Sequence, residues 1–185
     1  MADFGKDSTA SGPRTQYLKD YQPPAYLVED IALRFELDPA ATRVTSRLTV
    51  KRNRAAQASD QPLQLEGQEL ELTALRVDGI ALTENEYQVE EGKLVLEDLP
   101  DNVTLEIETV IHPDRNTALE GLYVSGDMFC TQCEAEGFRR ITFFPDRPDV
   151  MARYTTTLVA DRNRYPVLLS NGNPVEQGEM DDGRH

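Results

Sequence analysis

Val103-Thr-Leu-Glu-Ile-Glu-Thr109 decides the fold class of this chain. Apolar and polar residues alternate through it. Val103, Leu105, Ile107 and Thr109 fall on one side, and Thr104, Glu106 and Glu108 on the other. Successive side chains of an extended strand point to opposite faces, so this period of two predicts a strand with one face buried.

The same spelling recurs on both sides of that stretch. Upstream, Val28, Ile31, Leu33, Phe35 and Leu37 form one run, and Val44, Leu48 and Val50 the next. Leu63 and Leu65 alternate, as do Leu70 and Leu72, then Leu75 and Val77. Asp78-Gly79 reads as a two-residue hairpin turn. Tyr87 and Val89 lead to a second turn at Glu91-Gly92, followed by Leu94 and Leu96. Downstream, Tyr154-Thr-Thr-Thr-Leu-Val-Ala160 is strongly β-prone, and so is Val167-Leu-Leu169, which runs into the turn Ser170-Asn-Gly-Asn173. No window carries a helical stripe. The expected fold is all-β, with antiparallel sheets of about ten to twelve short strands in a sandwich or open-sheet arrangement.

The ends read differently. Residues 1–16 are rich in Gly, Ser, Thr and charge and are expected to be a disordered leader. Residues 17–185 are expected to be one β-rich domain. Pro23 and Pro24 exclude a helix interior from the segment after Tyr17, while Tyr17, Tyr21 and Tyr26 are candidate anchors to a core. Gly178-Glu-Met-Asp-Asp-Gly183 reads as a strand entering a turn whose return strand is missing, so the chain is expected to be a piece of a larger protein.

Composition bounds the function. The 185 residues include 33 acidic and 19 basic side chains, for a formal charge of −14. Such a surface repels phosphate backbones, which argues against nucleic acid as a partner. No apolar run approaches the ~20 residues a bilayer-crossing helix needs, and the first residues lack the apolar core of a secretory signal. Two cysteines do not make a disulfide scaffold, so a reducing, cytoplasmic compartment is expected.

Chemistry-bearing side chains concentrate between Gly126 and Arg140. Cys130-Thr-Gln-Cys133 is a CxxC pair, but two further zinc ligands at similar spacing are missing, and His112 and His185 are isolated. A thioredoxin-like redox role needs an α/β context that the chain lacks, which leaves two thiols without a redox role. Gln132 and Glu134 are two residues apart; on an extended segment an amide and a carboxylate would project side by side. A carboxylate in a pocket can hold a protonated amine through a charge-assisted hydrogen bond, and the same spacing also suits a solvated strand face. Arg139, Arg140, Asp146, Arg147 and Asp149 read as an ion-pair cluster that fixes a loop stiffened by Pro145 and Pro148. There is no His-Glu-x-x-His, no phosphate-cradling glycine loop and no Gly-x-Ser-x-Gly.

Three blocks carry a resemblance: Asn116-Thr-Ala-Leu-Glu-Gly-Leu-Tyr123, Thr131-Gln-Cys-Glu-Ala-Glu-Gly-Phe-Arg139 and Asp146-Arg-Pro-Asp-Val150. With Tyr21-Gln-Pro-Pro-Ala-Tyr26, Leu33-Arg-Phe-Glu-Leu37 and Tyr165-Pro-Val-Leu-Leu-Ser-Asn-Gly172, they resemble the N-terminal domain of the bacterial-type branch of the aminopeptidase N family of zinc metallopeptidases. The resemblance implies a β-rich, saddle-like domain packed against a thermolysin-like catalytic domain, in an enzyme of the membrane alanyl aminopeptidase type that removes N-terminal residues from peptides. It implies zinc in the full-length enzyme, held by the catalytic domain, with no metal ligand and no catalytic residue in this chain, which alone would be inactive. It implies that Glu134 helps bind the substrate's free α-amino group and that Gln132 lines the pocket for the first side chain. The other reading is a free-standing β-domain that binds or adapts without catalysis. A small redox or metal domain built on Cys130 and Cys133 is a third.

Overall fold

The computed structural model describes residues 17–56, 60–90 and 92–185; the expected leader at 1–16 and Glu91 of the second turn lie outside them. Eleven strands form among the described residues: β1 (Tyr26–Glu36), β2 (Thr42–Arg52), β3 (Leu63–Glu66), β4 (Glu71–Val77), β5 (Ile80–Ala81), β6 (Gln88–Glu90), β7 (Lys93–Leu96), β8 (Asn102–Ile111), β9 (Gly121–Ser125), β10 (Met128–Gln132) and β11 (Arg153–Val159). Two single 3-10 turns, Leu18–Asp20 and Phe138–Arg140, are the helical elements among these residues. The all-β expectation holds.

Burial follows the alternation. Along β8, Val103, Leu105, Ile107, Thr109 and Ile111 are buried, and Thr104, Glu106, Glu108 and Val110 are half-buried. β8 lies inside a six-stranded sheet of order β11-β1-β2-β8-β4-β5. Its register sets Ile31, Leu48 and Leu105 side by side on β1, β2 and β8. On the outer face, Arg47 pairs with Glu106 at 3.5 Å and Arg76 with Glu108 at 3.1 Å. These exposed cross-strand pairs secure register more than stability. A second sheet, β3-β7-β6, contributes Leu63, Leu65, Leu94 and Leu96 to the same core.

Three departures have physical causes. β11 joins the edge of the sheet parallel to β1, pairing Asp30 with Arg153 through Glu36 with Val159. A parallel neighbour needs a long crossover, and β1 and β11 are joined through the whole of β2 to β10. The two short runs expected at Leu70–Leu72 and Leu75–Val77 are one strand, β4, whose register shifts between Leu72 and Ala74. The strands expected at 167–169 and 178–183 are not formed; Val167 and Leu169 are exposed. Instead the chain folds back, so that Ala160 and His185 exchange backbone hydrogen bonds and Asp161 bridges Arg184. β-propensity without a neighbouring ladder does not make a strand.

The expected tyrosine anchors divide. Tyr26 is buried, while Tyr17 and Tyr21 are exposed. Tyr21 still ties down its segment by donating its hydroxyl to Asp149 Oδ2 at 2.9 Å.

His112, just after β8, joins the β1–β2 connection to the start of β4. Its Nε2 lies 2.8 Å from Glu71 Oε1, and its Nδ1 contacts the Ala40 carbonyl oxygen. Both neighbours accept hydrogen bonds, so only the doubly protonated ring satisfies both. The Glu71 hydrogen bond, and next the Ala40 carbonyl, hold the His112 pKa above its usual 6.5. A raised folded-state pKa means the contact stabilises fully below the unfolded value and is lost as pH rises through the folded one. Thermal midpoints of wild type and His112→Gln are therefore expected to differ most below pH 6.5 and to converge as pH rises above the histidine's raised pKa. Curves that stay parallel from pH 5 to 9 would refute this role.

Candidate functional site

The polar stretch begins on a two-stranded ribbon. β9 and β10 pair antiparallel, with Gly121 opposite Gln132 and Tyr123 opposite Cys130. β10 ends at Gln132, and the chain then turns through 134–137 into the Phe138–Arg140 turn. Glu134 therefore sits in a turn, not on the extended segment that the spacing suggested. The peptide bond between Glu134 and Ala135 is cis. Gln132 and Glu134 are both exposed, and Cys133 between them is half-buried and packed against the core. The Gln132 side-chain amide donates to the Glu134 backbone oxygen at 3.4 Å, which holds the two residues together. The Glu134 carboxylate has no hydrogen bond or ion pair among the described residues.

The turn is compact because glycine occupies its tightest points. A Cβ on Gly137 would sit 2.7 Å from the Gln132 backbone oxygen and 3.0 Å from Cys133 Cα. Gly121 adopts φ +70°, and a Cβ there would meet Arg140 Cβ at 2.6 Å. Any larger residue at either position would push the ribbon and the following turn apart.

Beyond the turn, Ile141 to Asp146 are buried and anchor the site to both sheets. Thr142 and Ser46, fully buried, share a hydrogen bond of 2.8 Å, and Thr109 donates to the Ile141 oxygen at 3.0 Å. Phe144 exchanges backbone hydrogen bonds with Glu66 at the end of β3. A satisfied polar seam of this kind fixes one arrangement, because sliding would leave buried hydroxyls unpaired.

The expected arginine–aspartate cluster forms in two parts. Asp146 Oδ2 accepts from Arg139 Nε at 2.9 Å and from the Arg139 backbone N–H at 3.1 Å. Arg147 holds Asp149 through two bonds, at 2.9 and 2.7 Å, which pulls the Asp149 carboxyl below its usual range, assisted by the Tyr21 hydroxyl. Arg140 does not join this cluster. It turns to Glu69 and Glu120, two residues that sequence reasoning passed over; their only signal was a carboxylate beside a glycine motif, which spacing alone does not interpret.

Both cysteines are free thiols. Burial, and then the nearby Asp146 carboxylate, push the Cys133 thiol up to about 11. At pH 8 about one Cys133 in a thousand is then thiolate, so it is a poor nucleophile. We expect iodoacetamide at pH 8 to label Cys133 far more slowly than a free peptide thiol, by peptide mass mapping. We also expect the melting temperature to be unchanged by reductant. Fast labelling or a reductant-dependent midpoint would contradict this.

Among the described residues, no three His, Cys, Asp or Glu side chains are grouped so as to hold a metal ion. The described residues thus offer no ligand set that fits zinc. No helix among them is long and apolar enough to cross a membrane.

The family described as the Peptidase M1 N-terminal domain matches residues 20–185. Aminopeptidase N of Escherichia coli is 50% identical over 173 residues, covering 94% of this chain and 19% of that protein. Aminopeptidase N of Caulobacter vibrioides is 47% identical, with 94% and 20% covered. Among solved structures, Legionella pneumophila aminopeptidase A in complex with aspartic acid superposes with a TM-score of 0.85 at 34% identity, over 92% of this chain and 20% of that one. An M1 zinc metallopeptidase from Deinococcus radiodurans shares the fold, with a TM-score of 0.70 at 16% identity over 88% of this chain and 38% of that one. The chain spans about a fifth of the length of the curated relatives it matches. Along nearly its whole described length, it belongs to the Peptidase M1 N-terminal domain family.

Proposed function

We propose that this chain is the substrate-orienting N-terminal domain of a zinc-dependent aminopeptidase acting on peptides in the cytoplasm. The observation that carries this reading is the Glu134 carboxylate, exposed on a turn held rigidly from behind and without a partner of its own among the described residues. An exposed carboxylate on a rigid support can receive a peptide's terminal ammonium by a charge-assisted hydrogen bond. Gln132, bonded to the Glu134 backbone, is placed to meet the first side chain. Fixing the peptide's N-terminus fixes which bond reaches the reacting centre, and such positioning is the source of exopeptidase specificity. The chemistry itself, metal-assisted hydrolysis of the first peptide bond, belongs to a catalytic domain whose residues this chain does not carry. Peptides and that catalytic domain are the partners this reading requires.

Gln132→Ala in the intact enzyme tests the division of labour. It should reorder kcat/KM among Ala, Leu, Arg and Phe substrates more than it lowers all of them, because Gln132 meets the side chain and not the ammonium. A uniform loss across the four would count against that role. The 185-residue chain alone, supplied with zinc and an aminoacyl chromogenic substrate, should show no turnover above a mock preparation. Activity that copurifies with it would overturn the division between the two domains and favour a self-sufficient unit.

A further inference from the structure

Glu134 lies in a four-residue loop, Cys133 to Glu136, in which Cys133 packs against the core and Glu136 pairs with Arg139 at 2.9 Å. The loop is held at its ends. At one end Gln132 pairs with Gly121 across the ribbon. At the other, Gly137 is pressed against the Gln132 oxygen, and its own oxygen accepts from the Arg140 backbone N–H at 3.1 Å. Arg140 closes the circuit. Its Cβ occupies the space that a side chain on Gly121 would need, so Gly121 is fitted to Arg140, while Gly137 is fitted to Gln132, Cys133 and Gly121.

The Arg140 side chain is buried, at 9% exposure. Its Nη1 lies 2.8 Å from Glu69 Oε2, and its Nε lies 3.2 Å from Glu120 Oε2. The two carboxylates come from separate segments, one between β3 and β4 and the other immediately before β9. The Nε–Glu120 contact is a directed hydrogen bond, which a planar guanidinium holds at a fixed angle and a point-like ammonium does not, whereas the Nη1–Glu69 contact is an ion pair without hydrogen-bond geometry. Gln68 adds a further tie to the same turn, its backbone N–H donating to the Arg139 oxygen at 2.9 Å.

We infer that Arg140 is a positioning residue for the ammonium-binding carboxylate: it clamps the 66–70 segment, the start of β9 and the Gly137 turn together, and so sets where Glu134 stands. The inference rests on the reading of Glu134 given above. Arg140 touches no substrate in this scheme, and its effect passes through Glu134.

A double-mutant cycle in the intact enzyme tests this, using Arg140→Gln, Glu134→Gln and the pair, with zinc content and thermal midpoint measured for each. Arg140→Gln should lower kcat/KM by up to roughly a hundredfold, the scale of an ångström-level misplacement. The pair should fall no further than Glu134→Gln alone, within about twofold, because a carboxylate already removed cannot be misplaced. Arg140→Lys, which keeps the charge and loses the fork, should recover part of the loss. If Arg140 merely supported folding, its loss would multiply that of Glu134→Gln; multiplying losses overturn the inference and leave Glu134 in its role. So would an Arg140→Gln enzyme with wild-type kinetics. A silent Glu134→Gln removes both the reading and the inference. Should Arg140→Gln fail to fold, the same cycle with Arg140→Lys decides.

Discussion

Glu134→Gln in the intact enzyme is expected to lower kcat/KM roughly thirtyfold to several-thousandfold on every substrate with a free N-terminus. Truncating one partner of a desolvated charge pair costs about 2–5 kcal/mol, and each ~1.4 kcal/mol is a factor of ten. Glutamine keeps the shape and one acceptor oxygen and removes only the charge, so the loss reports the ion pair with the ammonium. Glu134 is exposed and has no side-chain partner among the described residues. The substitution therefore breaks no internal contact, and the melting temperature should stay within about a degree of wild type, as for surface changes away from structural features. Steady-state kinetics on Ala, Leu, Arg and Phe substrates, with zinc content checked, decide the matter. Wild-type kcat/KM on all four returns Glu134 to the status of a solvated turn residue.

The largest stability effect is expected from Leu48→Ala. Leu48 is fully buried on β2, between Ile31 on one neighbouring strand and Leu105 on the other. Both flanking strands are themselves held in the sheet, so the walls of the new cavity have little freedom to collapse. Leucine-to-alanine changes at such sites cost about 2–5 kcal/mol, increasing with the cavity left behind. Urea unfolding should show a lower midpoint with an unchanged slope, since the surface exposed on unfolding is nearly the same. A shift worth less than about 1 kcal/mol would mean that the row repacks and the sheet is softer than its register implies.

How far each feature could be read in advance depended on the range of its causes. Val103 to Thr109 announced β8 because a strand's two faces are written in alternate residues, and one face is buried whichever strands lie beside it. The same holds for Val28 to Leu37 and for Val44 to Val50. Val167 to Leu169 carried equal β-propensity and formed no strand, because a strand also needs a ladder, and none pairs with it among the described residues. Local composition cannot report that absence.

The site divides in the same way. Arg139 with Asp146, and Arg147 with Asp149, were legible because opposite charges a few residues apart on a proline-stiffened loop find each other locally. Gln132 and Glu134 were legible as a pair, and the family resemblance supplied the roles proposed for them; the extended geometry does not reach Glu134, since β10 stops at Gln132. Glu69 and Glu120 were not legible. They lie 71 and 20 residues before Arg140 and meet it only because the β3–β4 connection and the start of β9 converge on one turn. Alternation, charge and turn chemistry, all short-range, therefore determined that this chain is an acidic all-β domain with one polar turn of interest. Which strand runs parallel, which carboxylates hold Arg140, and how Gly121 and Gly137 admit the turn were decided by contacts between distant segments, whose energies exist only once the sheets have closed on their core.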